Sequence, residues 1–228
     1  MSEPVVLALD TSTVVAAGLA RGPEVLASVT VADRMQHVEQ LMPLVGQALD
    51  QAGLSLRDVD KIVVGLGPGP FTGLRVGVAT AQVLAAATSI ELRGVCTLDV
   101  IAAQYSAEGR SDANGFVVAT DARRKEVYWA RYDSSGTRLD GPKVGPPEEV
   151  PALPTVGPAA DLYPDRLQAV SGPRRLDPGV MAAVGATLPD AGTEPLYLRR
   201  PDAAEPARPK SVLTNRPEPG PRLRRRDR

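Results

Sequence analysis

The stretch from Lys61 to Ser89, KIVVGLGPGPFTGLRVGVATAQVLAAATS, limits the possible folds more than any other part of the chain. Ile62 to Leu66 is a short run of apolar and small residues bounded by turn formers, the pattern of a buried strand. Gly67-Pro68-Gly69-Pro70 interrupts it, and Thr72 is placed to cap a following helix. That helix has almost no polar face: between Thr72 and Ser89 only Arg75 and Gln82 are strongly polar. A helix apolar on all sides is covered on all sides, by its own fold or by a partner. Gly73, Gly77, Ala81 and Ala85 recur at every fourth position, a ridge along which a second helix backbone can approach closely. An interior helical glycine costs about 1 kcal/mol relative to alanine, so Gly77 needs a packing reason. Burial in the chain's own core and a helix shared with a second subunit both supply one, and the pattern does not separate them.

The flanking sequence supplies a sheet for this unit. Val5 to Leu9, Val14 to Leu19 and Val25 to Val31 are apolar runs joined by Asp10-Thr11-Ser12-Thr13 and Arg21-Gly22-Pro23-Glu24, which reads as an antiparallel meander. Val38, Leu41, Met42, Val45, Leu49 and Ala52 fall at helical spacing between Gln36 and Gly53. Gly53 is the C-terminal stop, and Pro43 should kink this helix or mark an irregular first half. Glu91 to Val95 follows as a strand and Leu98 to Tyr105 as a helix, giving the order β-β-β-α-β-α-β. After a polar linker from Ala107 to Asn114 the opening returns: Phe116 to Thr120, the turn Asp121-Ala122-Arg123-Arg124-Lys125, then Glu126 to Tyr132. A strand ending in aspartate, a turn and a returning strand thus occur twice, which points to internal duplication. The second half is rich in proline and glycine and weakly periodic, with short helices expected around Ala159 to Leu167 and Gly179 to Ala186. It reads as an eroded copy.

Single residues exclude several chemistries. Cys96 is the only cysteine and His37 the only histidine. An internal disulfide, a cysteine-based zinc cluster and any metal site needing two imidazoles are therefore ruled out. Ser-His-Asp or Cys-His catalysis is possible only through His37. No apolar run has the length and flanks of a membrane span or secretory signal, so the expected compartment is the cytoplasm, with no membrane partner. Residues 201–228 hold eight basic and four acidic residues; this leaves 18 basic against 23 acidic in 1–200, a net charge of −5. An acidic body is a poor primary surface for nucleic acid. The tail beyond Arg200, rich in proline and arginine, is expected to be disordered.

A β-β-β-α-β-α-β unit used twice, each copy with aspartate at the end of its first strand, resembles the ribonuclease-H-like plan of the actin, sugar kinase and heat-shock ATPase superfold. The expected fold is accordingly α/β and two-lobed, with a first lobe at 1–108, a reduced second lobe at 109–200 and the tail at 201–228. More narrowly, Leu9-Asp10-Thr11-Ser12-Thr13, His37 with its helix, Gly67-Pro68-Gly69-Pro70-Phe71-Thr72-Gly73-Leu74-Arg75-Val76-Gly77, Asp121 to Tyr128, and Tyr197-Leu198-Arg199-Arg200-Pro201 together resemble the TsaB (YeaZ-type) family. The GPGPFTGLR run is the specific part; the other segments agree in order and spacing. The resemblance implies a role in forming threonylcarbamoyladenosine beside the anticodon of tRNAs that read codons beginning with A. It implies a non-catalytic subunit that binds and organises the metalloprotein paralogue TsaD, which transfers the group to the adenosine N6, with the ATPase TsaE joining the assembly. ATP and metal are expected on those partners, a homodimer in isolation, and tRNA contact only indirectly through the complex. In the metal-binding paralogue a His-x-x-x-His pair follows the apolar helix and the next strand; here that region reads Cys96-Thr97-Leu98-Asp99-Val100-Ile101, with no histidine. No catalytic or metal-ligating residue is assigned.

Two turns remain open as phosphate sites. Asp10, Thr11 and Ser12 offer hydroxyls and amides at a strand end, which suits phosphate oxygens, but equally a hairpin turn in which Asp10 accepts backbone amides. Gly67 and Gly69 precede a helix N-terminus, where amides attract anions, but the turn lacks a Walker lysine and Rossmann spacing. The partner interface is expected from both helices: His37, Leu41 and Val45 on one, Gly73, Arg75, Gly77, Ala81 and Ala85 on the other. Asp121 with Arg123 and Arg124 suits a phosphate, a partner carboxylate or a charged turn in water. The rival readings are an ATP-dependent small-molecule kinase of the same superfold and a peptidase.

Overall fold

The computed structural model describes residues 3–31, 37–109 and 113–199. Its first sheet has the order β3-β2-β1-β4-β5, built from β1 (Val5–Asp10), β2 (Val15–Arg21), β3 (Glu24–Val31), β4 (Lys61–Gly65) and β5 (Glu91–Val95). The first three strands are antiparallel, while β4 and β5 run parallel to β1. All six residues of β1 are buried because both faces of the sheet are covered. Val5, Leu7 and Leu9 point into one core, with α1 (His37–Ala52) and α2 (Phe71–Thr88); Val6 and Ala8 point into the other, with α3 (Thr97–Ala107) and α5 (Pro178–Val184). Among the described residues no helix is long and apolar enough to cross a membrane.

The second sheet repeats this plan strand for strand. β6 (Phe116–Asp121), β7 (Val127–Tyr132) and β8 (Arg138–Gly145) are antiparallel, and β9 (Pro154–Val156) and β10 (Gln168–Ala169) lie parallel on the other side, in the order β10-β9-β6-β7-β8. This is the ribonuclease-H-like order, present twice. Reduction of the second copy falls on its crossovers. A single 3-10 turn at Pro147–Glu149 stands where α1 would be, and the four-residue α4 (Ala159–Leu162) where α2 would be.

Packing crosses the expected boundary between the lobes. α5 lies in the second half of the chain but packs on the first sheet, and Gly18 of β2 lies so close to the Pro178–Gly179 backbone that a side chain there would overlap it. Ser28 donates to Asp177 Oδ1 at 2.7 Å, and the amide of Leu196 donates to the carbonyl of Leu66 at 2.8 Å. The segment around Leu196 therefore belongs to the packing of the first lobe. The expected disorder of 201–228 lies outside the described residues.

Candidate functional site

The turn after β1 is sealed by its neighbours. Asp10, Thr11 and Ser12 are 0%, 2% and 2% exposed. Asp10 Oδ1 accepts the amide and hydroxyl of Ser12 at 2.7 and 2.6 Å, and Oδ2 accepts the Thr97 hydroxyl at 2.6 Å. Thr97 in turn accepts the Gly67 amide at 3.2 Å. Burial pushes the Asp10 carboxyl above its ordinary value, and the bonds from Ser12 and Thr97 pull the other way. The glycines close the lid: a Cβ at Gly65 would overlap Asp10, and one at Gly69 would lie 2.7 Å from the Ser12 carbonyl oxygen. Gly67 has φ +93°, which only glycine adopts readily. The phosphate reading of Asp10, Thr11 and Ser12 is thereby corrected, because their side chains are buried and bonded within the protein. Of the two glycines read with them, Gly67 donates its amide to Thr97 and Gly69 is half-buried. Thr97, the residue that completes the closure, carried no signal in the sequence, because its partner is far away along the chain.

The glycine ridge of α2 is occupied in the same way. Gly73, Gly77 and Ala81 are buried within the chain. A Cβ at Gly73 would lie 2.6 Å from the Thr11 carbonyl oxygen, one at Gly77 would overlap the Thr11 hydroxyl, and that hydroxyl donates to the Gly73 carbonyl at 2.7 Å. The ridge thus packs on the β1–β2 turn and not on a second helix. Leu41, Val45 and Ala81 are likewise core residues, 1%, 2% and 0% exposed. As partner-facing residues Leu41, Val45, Gly73, Gly77 and Ala81 are corrected; Ala85 is half-buried against the same core. The Thr72 cap is corrected as well, because Pro70 is the N-cap residue and Thr72 stands exposed inside the first turn. His37 opens α1, but its side chain lies outside the described residues.

What α2 leaves uncovered is another face. Ala79, Val83 and Ala86 are exposed, Val83 to 66%. Met42, Pro43 and Gly46 are exposed on α1, in the same layer. At the N-terminal end of α2, Arg75 lies 3.7 Å over the Phe71 ring and donates to the Tyr197 hydroxyl at 3.2 Å, while the Phe71 and Tyr197 rings meet tilted by 36° with centroids 4.6 Å apart. This joint carries the only charge expected on the helix and fixes the last described segment beside it.

A second cluster joins the two sheets. Asp99 of α3 accepts from the Tyr132 hydroxyl at 2.8 Å and lies 3.5 Å from Arg138 Nε. Burial raises the Asp99 carboxyl and the Arg138 charge opposes that rise; the Cys96 thiol beside them is pushed up to about 12 by burial. A neutral thiol so buried is neither nucleophile nor ligand.

The turn after β6 repeats the one after β1 with the opposite exposure. Asp121 Oδ1 accepts the Arg123 amide at 2.8 Å, the same i to i+2 bond that Asp10 makes with Ser12. Here, however, Arg123, Arg124 and Lys125 are exposed, all at positive φ of 58°, 54° and 61°. Arg199 donates to the Ala122 carbonyl at 2.7 Å and pairs with Glu126, holding the turn from behind.

Two sheets of ribonuclease-H-like order, the first with the turn after its first strand sealed, define a duplicated α/β protein of ribonuclease-H-like fold. Comparison with known proteins narrows this. The family model for TsaD, tRNA N6-adenosine threonylcarbamoyltransferase, matches residues 24–163. The chain belongs to that family, as a TsaB/YeaZ-type member. An uncharacterized protein of Mycobacterium tuberculosis is 43% identical over 204 residues, 87% of this chain and 93% of that protein. The tRNA threonylcarbamoyladenosine biosynthesis protein TsaB of Escherichia coli is 39% identical over 97 residues, 42% of this chain and 41% of that protein. YeaZ from Pseudomonas aeruginosa superimposes with a TM-score of 0.69 at 28% identity, covering 86% of this chain and 100% of that one.

Proposed function

We propose that this chain serves tRNA threonylcarbamoyladenosine biosynthesis as a non-catalytic subunit that binds and organises a TsaD-type transferase. The observation that carries the reading is the contrast between its two candidate surfaces. The turn that would hold phosphate is sealed by Asp10, Ser12 and Thr97, while α2 keeps an exposed row of small apolar residues at Ala79, Val83 and Ala86. Such a row lets a partner helix approach closely, and uncovered apolar surface is stabilised by association. In this reading the partner helix lies on that row, and the same surface closes as a homodimer when the transferase is absent. ATP and metal act on the transferase and on a TsaE-type ATPase, and tRNA is held mainly by the complex. The names of the TsaB relatives support the pathway, and the TsaD family match supports a partner of related fold.

The test is a reconstituted transfer of threonylcarbamoyl to tRNA, with this chain and the transferase added separately and together. Transfer that needs both, with no ATP turnover or tRNA modification by this chain alone, is the expected outcome. Modification by this chain alone overturns the reading.

A further inference from the structure

The strongest unassigned feature is the hollow beside the second turn. It has a volume of about 430 Å³ and is lined by Asp121, Arg123, Arg124, Lys125, Leu162 and Tyr163. Three successive non-glycine residues in the left-handed region are rare, and each such residue costs roughly 1–2 kcal/mol relative to right-handed backbone. Strain of this kind persists only where surrounding structure imposes it, and it concentrates at functional sites. The imposing contacts are the Ala122 and Glu126 backbone bonds that close the turn at 3.0 Å and the Arg199 bond to Ala122. Of the acidic groups nearby, Asp121 accepts the Arg123 amide, Glu126 pairs with Arg199 and Asp161 with Arg174, while Asp165 is exposed. Within the lining itself three cations stand against the one carboxylate of Asp121, although the body as a whole is acidic.

The rest of the lining is of a different kind. Leu162 is 55% exposed and Tyr163 half-buried, an apolar and aromatic part of the same hollow. Cations and an aromatic ring in one hollow suit phosphates joined to a base. The hollow is too open to bury most of a free nucleotide, as a small-molecule pocket does. A polymer passing through it needs only partial enclosure at each position.

We propose that the Asp121–Glu126 turn and the Leu162–Tyr163 wall form a binding site for one or two nucleotides of single-stranded RNA, with phosphate oxygens on Arg123, Arg124 and Lys125 and a base on the Tyr163 ring. The choice of RNA rests on the proposed role in tRNA modification; the site itself lies apart from the α2 surface assigned to the transferase. It gives the subunit a direct hold on the substrate.

The test is fluorescence-anisotropy titration of a labelled single-stranded oligoribonucleotide with the full chain alone, over a range of salt concentrations. Arg123→Asn, Arg124→Asn and Lys125→Asn are combined, because asparagine tolerates the left-handed backbone and keeps the turn. This variant should bind more weakly, with the slope of log affinity on log salt reduced by roughly 0.7 per lost phosphate contact. Tyr163→Leu should lose roughly 5- to 150-fold, and Tyr163→Phe should bind as the parent does. Every variant keeps residues 201–228, so differences report the turn and its wall. Unchanged affinity and slope in the triple variant overturn the proposal, and so does unchanged binding by Tyr163→Leu. Displacement of the oligonucleotide by equimolar ATP overturns it in favour of a free-nucleotide site. Because no transferase is present, failure here leaves the pairing reading to its own assay.

Discussion

At the scale of single residues the sealed turn depends on Asp10. Its carboxylate satisfies the Ser12 amide, the Ser12 hydroxyl and the Thr97 hydroxyl in a site with no exposure. Removing it in Asp10→Ala strands buried donors, each costing about 1–3 kcal/mol, so a total loss of about 2–4 kcal/mol in urea unfolding is expected. Asp10→Asn keeps shape and most bonds, and it isolates the ionisation. The folded-state value lies above the ordinary 3.8, so the native protein binds the proton more tightly than the unfolded chain does. Stability due to this group is therefore fully present below about pH 3.8 and declines as pH rises towards the folded value. Asp58, Asp133 and Asp140 are lowered and act in the opposite direction, so the quantity to follow is the difference between parent and Asp10→Asn. The parent should lose stability relative to the variant as pH rises above 3.8 and then level off. A difference that does not change with pH would show that Asp10 titrates normally.

At the scale of elements, α2 has two small-residue faces, one buried on the β1–β2 turn and one exposed. Gly77→Leu forces a side chain into the Thr11 hydroxyl, so it should destabilise the chain itself by about 3 kcal/mol, seen as a lower urea midpoint. Val83→Asp alters an exposed position and should leave that midpoint within about 0.5 kcal/mol of the parent. It should nevertheless weaken capture of the transferase by about 1–2 kcal/mol, five- to thirtyfold, in a surface-binding measurement. A transferase that binds Val83→Asp as tightly as the parent would move the interface away from this helix. In the second turn, Arg124→Gly relieves one left-handed residue and should raise stability by about 1 kcal/mol. The strand–turn–helix order of this region was legible in the sequence, because Gly67 to Pro70 is strong punctuation between two apolar segments. Which face of α2 meets the sheet was not legible. Gly73, Gly77 and Ala81 fall at one helical spacing and Ala79, Val83 and Ala86 at another, and a helix apolar on all sides carries no direction. β8 was equally hidden: Gly141 and Pro142 lie inside it, next to a register shift at Trp129–Arg131, as an edge strand tolerates and a strand pattern does not advertise.

At the scale of the whole molecule, the duplication is legible as two aspartate-ended strands, but the exchange of helices between the copies is not. α3 leaves the first half to pack on β6 and β7, and α5 returns from the second half to pack on β1, β2 and β3. Nothing local marks this. Proline, glycine and short apolar runs around 177–184 read as erosion, although Gly179 is small because it meets Val25 and the Ala27 carbonyl. One consequence is that Phe116, Val118, Ala130 and Tyr132 share a single core with Val6, Ala8, Ala16 and Ala20. The segment 1–108 should therefore not stand alone. Without α5 it exposes Ala16, Ala20 and Val63 on a sheet evolved to be covered on both faces, and without β6 and β7 it uncovers Leu98, Ile101 and Tyr105 of α3. We expect this fragment to bind a hydrophobic dye and to lack a cooperative thermal transition, and co-expression with residues 109–228 to restore both a folded complex and a single transition. A fragment 1–108 that melts cooperatively as a soluble monomer would mean that the lobes are independent units. The exchange of α3 and α5 would then add contact between them without being required by either.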